Sequence, residues 1–563
     1  MRLTGAQIII QLLERQGITI IAGIPGGASL PLYDALSQSQ KIHHVLARHE
    51  QGAGFIAQGM ARVSGQPAVC FATSGPGATN ILTAIADAKL DSIPLVCITG
   101  QVPSAMIGTD AFQEVDTYGM SIPVTKHNFL VRSARELLRV IPEAFRIAAS
   151  GRPGPVLVDV PKDVQNEVLD FDTWPAPGCP DATSPGNKAS IEQAARMINA
   201  AARPLLYIGG GVVHAGASAL VRQLVEKASL PTTMTLMGLG ALPTDHPRAI
   251  GMLGMHAARY TNMALDACDL LLAVGVRFDD RATGKVSAFC PQAQIIHIDI
   301  DPSELDKIKT AHIGIQGDVG EVLGSMLPLI EAQPRDAWLA HVEELKASYP
   351  LHIPGADDPL TPYGLVLQSA KLLDDDTIIT TDVGQHQMWA AQVYPLRYPR
   401  QWLTSGGLGT MGFGLPAAIG AALAAPERMV VCFSGDGSLL MNIQELVTAV
   451  EENVNVKIIL MDNSSLGLVH QQQDLFYGKR IFASDYQLKV DFGVIAQGFG
   501  MTAYDLGTAA NPSAMLAQAL SSRGPCLIHA PIDVQAKVYP MVPPGAANKD
   551  MIDEGEPYAN ARA

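Results

Sequence analysis

The sequence VVCFSGDGS at residues 430–438, followed by VKIILMDN at residues 456–463, decides how this chain folds. Each segment begins with an apolar run that predicts a buried strand, and the apolar side chains between the segments are spaced as in a helix. The pattern therefore predicts a strand, a turn, a helix and a parallel strand, with Asp436 and Asn463 at the carboxyl ends of the two strands. Because ligands of such sheets gather outside those ends, we expect the two side chains to face one site.

The residue types at this site indicate what it binds. A carboxylate and an amide oxygen suit Mg²⁺, which uses few protein carboxylates and completes its coordination with phosphate oxygens and water. Gly435 and Gly437 allow the backbone to approach a phosphate, and the helix that follows offers free N–H groups. A Gly-Asp-Gly turn or a strand-end Asn alone would be an ordinary structural feature. Together they favour a site for Mg²⁺ and a diphosphate.

Length and composition describe a large globular enzyme. The 563 residues predict about three domains. A hydrophobic content of 48%, with 17% charged residues and 52 glycines, favours α/β domains with parallel sheets. The formal charge of −15 argues against a nucleic-acid partner, so cationic sites for an anionic substrate must be local.

The cysteines and the apolar segments predict where the protein works. Seven cysteines are scattered without CxxC spacing, as expected in a reducing compartment. No apolar run reaches the ~18 residues that a membrane span needs, and the N-terminus does not have the pattern of a leader peptide. We expect a cytoplasmic protein that does not associate with membranes.

Alternating strands and helices predict a first domain over residues 1–167. Thr4 is expected to cap its first helix. Glu50 follows a short strand at 44–47 and begins a helix in apolar company, where a Glu is most simply a favourable helix-terminal acid. A glycine-rich turn at 73–80 and a loop at 111–114 follow.

A middle domain over residues 190–330 follows a linker at 168–190. Its strands end in glycines or polar residues, where ligands of α/β sheets bind, and this indicates a second cofactor without identifying it. The turn at Gly209–Gly211 does not complete a GxGxxG motif, because His214 takes the place of the last glycine. Residues 251–256 are predicted to begin a helix, with methionines that favour a core position. A second linker at 331–361 precedes a third domain over residues 360–545.

The combination of Gly435-Asp436-Gly437 with Asn463 resembles the signature of thiamine-diphosphate enzymes. Along almost the whole chain, further segments resemble the catalytic subunit of the acetohydroxyacid synthase (acetolactate synthase) family, above all its bacterial isozyme I type. These segments are Arg48–Ala53, Thr73–Asn80, Phe112–Gln113, Arg277–Arg281, Gly384–His386 and Gly407–Gly412. One departure is Asp462, which stands where the family usually has the first of two asparagines.

The resemblance implies three doubly wound parallel-sheet domains and a defined reaction. Pyruvate is decarboxylated, and the hydroxyethyl-thiamine-diphosphate carbanion condenses with a second 2-ketoacid, either pyruvate or 2-ketobutyrate. The products are 2-acetolactate or 2-aceto-2-hydroxybutyrate, in branched-chain amino-acid biosynthesis. The cofactor lies between the first domain of one subunit and the last domain of another, so a homodimer or higher homo-oligomer is implied. A small regulatory subunit is a further possible partner.

The resemblance also gives roles to residues at the thiamine-diphosphate site. Glu50 hydrogen-bonds the pyrimidine and promotes the tautomer that acts as internal base. Met411 holds the cofactor bent, and the Gly409 carbonyl contacts its amino group. Mg²⁺ is held by Asp436, Asn463 and the carbonyl of Ser465. The other implied contacts are Gly384, Gln385, His386, Gly437, Ser438 and Gly467.

A structural FAD and a substrate pocket are implied as well. The flavin positions are Arg152, Gly209, Gly210, Gly211, Leu253, Gly254, Met255, His256, Gly275, Arg277, Asp279, Asp299, Ile300 and Asp318. Lys162 and Gln113 are implied catalytic residues, while Phe112, Arg281 and Gln472 line the substrate site. Many relatives have Trp at the position of Gln472, which predicts a weak preference between the two acceptors.

Four alternatives share part of this pattern. A flavin-dependent pyruvate oxidase uses both cofactors and is the nearest. Simple 2-ketoacid decarboxylases have a His-His pair near Phe112–Gln113, whereas His43-His44 lies elsewhere. Glyoxylate carboligase lacks the activating Glu, so Glu50 argues against it. A non-catalytic paralogue would have no reason to retain Glu50, Asp436, Asn463 and Lys162.

Overall fold

Three parallel sheets of six strands each organise the chain, and the computed structural model describes residues 1–556. The inner strands of each sheet are almost entirely buried, as expected for sheets covered by helices on both faces. Within the described part of the chain, no helix is long and apolar enough to cross a membrane.

The first domain is a sheet in the order β3-β2-β4-β5-β7-β6, and β1 pairs with β8 in a separate antiparallel ribbon. Its strands are β1 (Arg2–Thr4), β2 (Ile20–Gly23), β3 (His43–Leu46), β4 (Ala68–Ala72), β5 (Leu95–Gln101), β6 (His127–Leu130), β7 (Pro155–Pro161) and β8 (Val168–Asp170). Its helices are α1 (Gly5–Arg15), α2 (Leu30–Ser37), α3 (Glu50–Ser64), α4 (Pro76–Leu90), α5 (Thr117–Ser121), α6 (Ala134–Ala149) and α7 (Lys162–Asn166). Thr4 caps α1 in a capping box with Gln7, as its position predicts.

The middle domain is a sheet in the order β11-β10-β9-β12-β13-β14. Its strands are β9 (Pro204–Ile208), β10 (Thr232–Met234), β11 (Ala249–Met252), β12 (Leu270–Val274), β13 (Gln294–Asp299) and β14 (Ile313–Gln316). Its helices are α8 (Lys188–Ala200), α9 (Gly210–His214), α10 (Ser218–Ala228), α11 (Arg259–Ala267), α12 (Asp280–Thr283) and α13 (Val319–Met326), and α14 (Asp336–Ser348) follows in the second linker. Numbered within the domain, this order is 3-2-1-4-5-6, the order of dinucleotide-binding sheets.

One expectation about the middle domain is wrong. The segment at 251–256 does not begin a helix, because Gly251 and Met252 end strand β11 and a loop follows. Gly251 has a φ of +77° and Gly254 a φ of +94°, values that an α-helix does not contain.

The third domain is a sheet in the order β16-β15-β17-β18-β20-β19. Its strands are β15 (Ile378–Thr381), β16 (Trp402–Leu403), β17 (Val430–Gly435), β18 (Val456–Asp462), β19 (Thr502–Asp505) and β20 (Cys526–Pro531). Its helices are α15 (Pro362–Leu372), α16 (Gln385–Val393), α17 (Gly414–Ala424), α18 (Asp436–Leu439), α19 (Glu445–Glu451), α20 (Gly467–Phe476), α21 (Phe492–Gly498) and α22 (Pro512–Ser521). Numbered within each domain, the first and third sheets both have the order 2-1-3-4-6-5, so they are two copies of one topology.

The predicted pairing of the deciding stretch is confirmed. Strands β17 and β18 are parallel neighbours, with Gly435 opposite Met461. Asp436 and Asn463 therefore leave the sheet at the same edge.

Helices α3 and α17 join the first domain to the third at very short range. An added Cβ on Gly59 would overlap the carbonyl oxygen of Ala417, and one on Gly420 would overlap that of Ile56. Side chains of both domains form one continuous core around this contact. The two glycines thus fix how closely the domains approach.

We expect Gly59→Ala to lower the free energy of unfolding by about 1–3 kcal/mol, because the methyl group meets backbone that cannot rotate away. Urea denaturation measures the loss. The matched control is Gly324→Ala on α13, where nothing lies within 4 Å of the added Cβ. There the better helix propensity of Ala should raise stability by about 0.5–1 kcal/mol. Equal effects of the two substitutions would contradict the close packing of α3 on α17.

Candidate active site

A small cavity of about 190 Å³ lies at the carboxyl edge of the third sheet. It opens where the strand order reverses between β15 and β17, the position at which such sheets bind ligands. The structure brings together there every thiamine-diphosphate and Mg²⁺ residue that the resemblance implies in the third domain. They are Gly384, Gln385, His386, Gly409, Met411, Asp436, Gly437, Ser438, Asn463, Ser465 and Gly467.

The oxygen atoms expected to hold a metal converge in this cavity. The backbone N–H of Ser465 donates both to Asp436 Oδ2 at 3.1 Å and to Asn463 Oδ1 at 3.2 Å, so these oxygens are close neighbours. Burial raises the pKa of Asp436 to about 7, and the adjacent Asp462 carboxyl adds to the rise. A bound divalent cation would stabilise the buried Asp436 carboxylate, so the donor set fits Mg²⁺.

The walls of the cavity fit a diphosphate. His386 is buried, and its Nε2 has no hydrogen-bond partner among the described residues. A phosphate oxygen would supply the missing partner. The His386 ring packs against Gly384 and Gly435, where an added Cβ would lie 2.8 Å from the imidazole. Only glycine leaves room for the ring at these two positions.

A buried amide network orients Gln385. Its Nε2 donates to Gln471 Oε1 at 2.9 Å and to the Ala536 carbonyl at 3.1 Å, and its Oε1 accepts from Asn463 Nδ2 at 3.2 Å. Any side chain at Gly467 would overlap Gln385 Oε1. Sequence reasoning did not single out Gln471, and its only signal was a polar residue on the buried face of α20.

The unusual Asp462 has its own partners. Its Oδ2 lies 3.0 Å from His529 Nε2 on the adjacent strand β20, and its Oδ1 accepts from the Ser464 N–H at 2.9 Å. His529 also contacts Asp505 at 3.2 Å. Burial acts to lower the pKa of His529, but the hydrogen bonds to Asp462 and Asp505 outweigh it and raise that pKa. The extra carboxyl beside the metal site is therefore hydrogen-bonded to an imidazole whose protonated form is favoured by Asp462 and Asp505.

Glu50 lies elsewhere in the chain, at the start of α3. Its side chain is buried, Asn80 Nδ2 donates to its Oε2 at 3.0 Å, and Gly77 leaves room for its Oε1. The two N–H groups before it, those of Arg48 and His49, donate to Glu445 of the third domain at 3.0 Å. Glu50 does not line either cavity described here.

The other first-domain candidates also lie apart from the cavities of their own chain. Phe112 is 88% exposed, and Gln113 packs on Gly75 with a φ of +59°. Lys162 begins α7, whose Asp163 accepts from the N–H of Ser104 at 2.9 Å. None of the three lines the smaller or the larger cavity.

A larger cavity of about 560 Å³ lies between the domains. Thirteen of the fourteen implied flavin positions line it: Arg152, Gly209, Gly210, Gly211, Leu253, Met255, His256, Gly275, Arg277, Asp279, Asp299, Ile300 and Asp318. The exception, Gly254, packs against the Arg281 carbonyl behind the wall. Arg281 and Gln472 line this cavity too, and Gly409 and Leu468 line both cavities.

The larger cavity fits a dinucleotide at the reversal point of the middle sheet. The turns after β9 and β12 meet backbone to backbone, since an added Cβ on Gly211 would lie 2.6 Å from the Gly275 Cα. His256 is buried, and its Nδ1 has no partner among residues 1–556. Arg152 reaches over from the first domain to Glu304 Oε1 at 2.7 Å and Asp301 Oδ2 at 3.2 Å. Glu304 was not singled out from the sequence.

Three family models match the chain in order. The N-terminal thiamine pyrophosphate binding domain matches residues 3–120, the central domain of thiamine pyrophosphate enzymes matches residues 191–326, and the C-terminal thiamine pyrophosphate binding domain matches residues 382–530. With the three sheets and the cavity at the third, they define a thiamine-diphosphate-dependent enzyme.

Comparison with relatives that match almost the whole chain identifies the family within this class of enzymes. The chain is 63% identical to the acetolactate synthase isozyme 1 large subunit of Escherichia coli, over 98% of both chains. It is 47% identical to the isozyme 2 large subunit of that organism, over 98% of this chain and all of the relative. It is 44% identical to chloroplastic acetolactate synthase 1 of Nicotiana tabacum, over 98% of this chain and 85% of the relative. The chain belongs to the acetolactate synthase family.

Proposed function

We propose that this enzyme joins two 2-ketoacids with loss of CO₂, using pyruvate as donor and pyruvate or 2-ketobutyrate as acceptor. The observation that carries the proposal is the cavity of the third sheet, which is lined both by the neighbouring oxygens of Asp436 and Asn463 and by His386, whose Nε2 has no partner among the described residues. A larger cavity shares Gly409 and Leu468 with it and leaves room for substrates beside the cofactor. The products are 2-acetolactate and 2-aceto-2-hydroxybutyrate.

The third domain holds the reactive group in place. Asp436, Asn463 and the Ser465 carbonyl would bind Mg²⁺, and His386 with Gln385 would contact the diphosphate. When bound, thiamine diphosphate supplies the electron sink that decarboxylation of a 2-ketoacid requires. Met411 and Gly409 form part of the wall of this cavity, and Gly409 lines the larger cavity as well, so the two residues would set the orientation of the cofactor.

The first domain supplies the proton chemistry. Glu50 would hold or release a proton at a ring nitrogen of the cofactor, while the Asn80 amide fixes the orientation of its carboxyl group. Gln113 and Phe112 would face the substrate, and Lys162 and Arg281 would attract its carboxylate. The roles of the first-domain residues among these require the first domain to meet a third domain.

A homodimer is the smallest arrangement that lets them meet. Glu50 is separated from the metal cavity of its own chain, and the apolar surfaces near both half-sites are left open. Phe112 is 88% exposed beside the first, while Phe482 and Leu488, 82% and 78% exposed, follow α20 in the third domain. Burying such side chains is the usual drive for association. We place the enzyme in the cytoplasm and, because its relatives are named large subunits, propose a small regulatory partner.

FAD is the dinucleotide that we assign to the larger cavity. The strand order of the middle sheet and the glycine turns at its reversal point support this assignment. So does the buried His256 Nδ1, which has no partner among the described residues. The net reaction transfers no electrons, so these residues would hold the flavin in a structural role.

Gln472 sets the acceptor preference in this proposal, because it faces the larger cavity from α20 together with Leu468. We expect Gln472→Trp to raise the ratio of 2-aceto-2-hydroxybutyrate to 2-acetolactate by about tenfold or more, since a methylene in an apolar pocket contributes about 1–3 kcal/mol. Competition between the two ketoacids, with product analysis, measures the ratio. Gln472→Asn adds no apolar surface and should leave the ratio near that of the unmodified enzyme, whose own preference is weak. A strong 2-ketobutyrate bias before substitution would refute this role.

The experiment that tests the function is an assay of the purified chain with pyruvate, thiamine diphosphate, Mg²⁺ and FAD, with identification of the product. We expect acetolactate and no net reduction of flavin. Flavin reduction by pyruvate without oxygen and without acetolactate would identify a pyruvate oxidase instead.

A further inference from the structure

The loop from Thr404 to Gly412 joins β16 to α17 and carries Gly409 and Met411 into the cofactor cavity. Two buried carboxylates of the first domain hold this loop. Asp91 accepts from the N–H of Gly407 at 2.7 Å and from that of Gly406 at 3.1 Å. Asp87 accepts from the hydroxyl of Ser405 and from that of Thr410, the latter at 3.0 Å.

Burying the two carboxylates is energetically unfavourable unless the loop is in place to donate hydrogen bonds to them. Both side chains have no exposed surface, and their cationic partner is Arg62, whose Nη2 lies 2.8 Å from Asp91 and 3.3 Å from Asp87. Arg62 also donates to the Thr404 carbonyl at 2.9 Å, so it holds the start of the same loop. Two negative groups share one positive group, and donors of the loop supply the remaining stabilisation.

Both carboxylates lie at the end of α4, Asp87 in its last turn and Asp91 as its C-cap. The beginning of the same helix contacts Glu50 through Asn80 and Gly77. The helix is about 20 Å long. In the dimer of the proposed function, one end of α4 would therefore serve one active site and the other end would serve the second.

We propose that Asp87 and Asp91 are positioning residues for the cofactor, acting through the Thr404–Gly412 loop of their own chain. This inference rests on the proposed arrangement of the active site between two subunits. It gives each active site a contribution from both first domains: Glu50 from one chain, and the anchor of the Gly409–Met411 wall from the other.

We expect Asp91→Asn to raise the KM for thiamine diphosphate about tenfold, the range in which loss of a supporting hydrogen bond usually falls. Trp389 lines the cofactor cavity, so quenching of its fluorescence reports binding without turnover. Thr410→Val removes one donor from the loop side without changing charge and should shift the KM in the same direction. The control is Asp159→Asn, because Asp159 is equally buried but accepts from Thr99 and Gln101 instead of the loop. Unchanged cofactor binding in both Asp91→Asn and Thr410→Val would overturn the proposal.

Hybrid dimers, purified with two different affinity tags, show which half of the site Asp91 supports. Consider first a hybrid of an Asp91→Asn chain with a Glu50→Gln chain. Its working site takes Glu50 from the Asp91→Asn chain and its third domain from the Glu50→Gln chain, so the KM for thiamine diphosphate should return to that of the unmodified enzyme. In a hybrid of an Asp91→Asn chain with an Asp436→Asn chain, the working site takes its third domain from the Asp91→Asn chain, so the KM for thiamine diphosphate should stay raised. The opposite pattern would mean that Asp91 acts on Glu50 and would overturn the proposal. An inactive hybrid of Glu50→Gln with Asp436→Asn would instead refute the shared active site of the proposed function.

Discussion

Glu50→Gln is expected to lower kcat at least about a hundredfold while Mg²⁺ and thiamine diphosphate still bind. A side chain that exchanges a proton with a reacting group contributes about 10²–10⁴ in rate, and an amide cannot take this role. The substitution keeps the shape of the side chain, and its remaining oxygen can still accept from Asn80 Nδ2. Steady-state kinetics and Trp389 fluorescence measure the two quantities separately.

Glu136→Gln is the matched control for this variant. Glu136 is also an acid in the first turn of a first-domain helix, but it is only half-buried, and its carboxylate accepts from the Arg132 N–H at 2.8 Å. We expect its kcat to stay within about twofold, because Glu136 lines neither cavity and substitutions away from a site usually change stability by less than about 0.5 kcal/mol. A Glu50→Gln enzyme with normal kcat would remove Glu50 from the mechanism.

Asp436→Asn is expected to abolish activity by a different route, the loss of Mg²⁺. The carboxylate is the only charged ligand of the proposed set, and an amide oxygen binds Mg²⁺ less strongly. Calorimetric titration with Mg²⁺ and thiamine diphosphate should show no binding at concentrations that saturate the unmodified enzyme. Retained metal affinity would show that the cation binds elsewhere.

Mixing these two inactive chains is expected to restore about a quarter of the activity. Random pairing makes half of the dimers hybrid, and each hybrid has one site with Glu50 from one chain and Asp436 from the other. Mixing either chain with itself after the same unfolding and refolding is the control and should restore nothing. Failure of the mixture, with hybrid dimers present, would place both residues in a single-chain site.

The strongest sequence signal was the pairing of an apolar strand with a polar residue at its end. It placed β17, β18, Asp436 and Asn463 correctly because buried parallel strands have continuous apolar runs and end at one edge. The middle sheet was harder to predict. Its strands β11 and β14 are four residues long and each contains a glycine. The equally short β19 of the third sheet contains an aspartate, so the sequences of all three do not differ from those of loops.

The residues of the site likewise fall into two groups, those that a sequence motif identified and those that no motif identified. His386 and Gln385 follow a strand and could be assigned by resemblance, whereas Gln471, Glu304 and the pair Asp87 and Asp91 could not. Each of these residues acts through a contact more than eighty residues away in the chain, as in the bond from Gln385 to Gln471 or from Gly407 to Asp91. Hydrogen bonds of that kind leave no periodicity in a sequence.

The amino-acid sequence by itself determined the class of cofactor, the three parallel sheets and the residues that would hold Mg²⁺, because all of these depend on short segments with local patterns. Only the tertiary structure showed that the strand order of the middle sheet is that of a dinucleotide-binding domain. It alone showed that Glu50 lies apart from the metal cavity of its own chain and that a carboxylate pair of the first domain anchors the Gly409–Met411 wall. These properties depend on how distant segments pack, and packing is decided by the burial of whole surfaces.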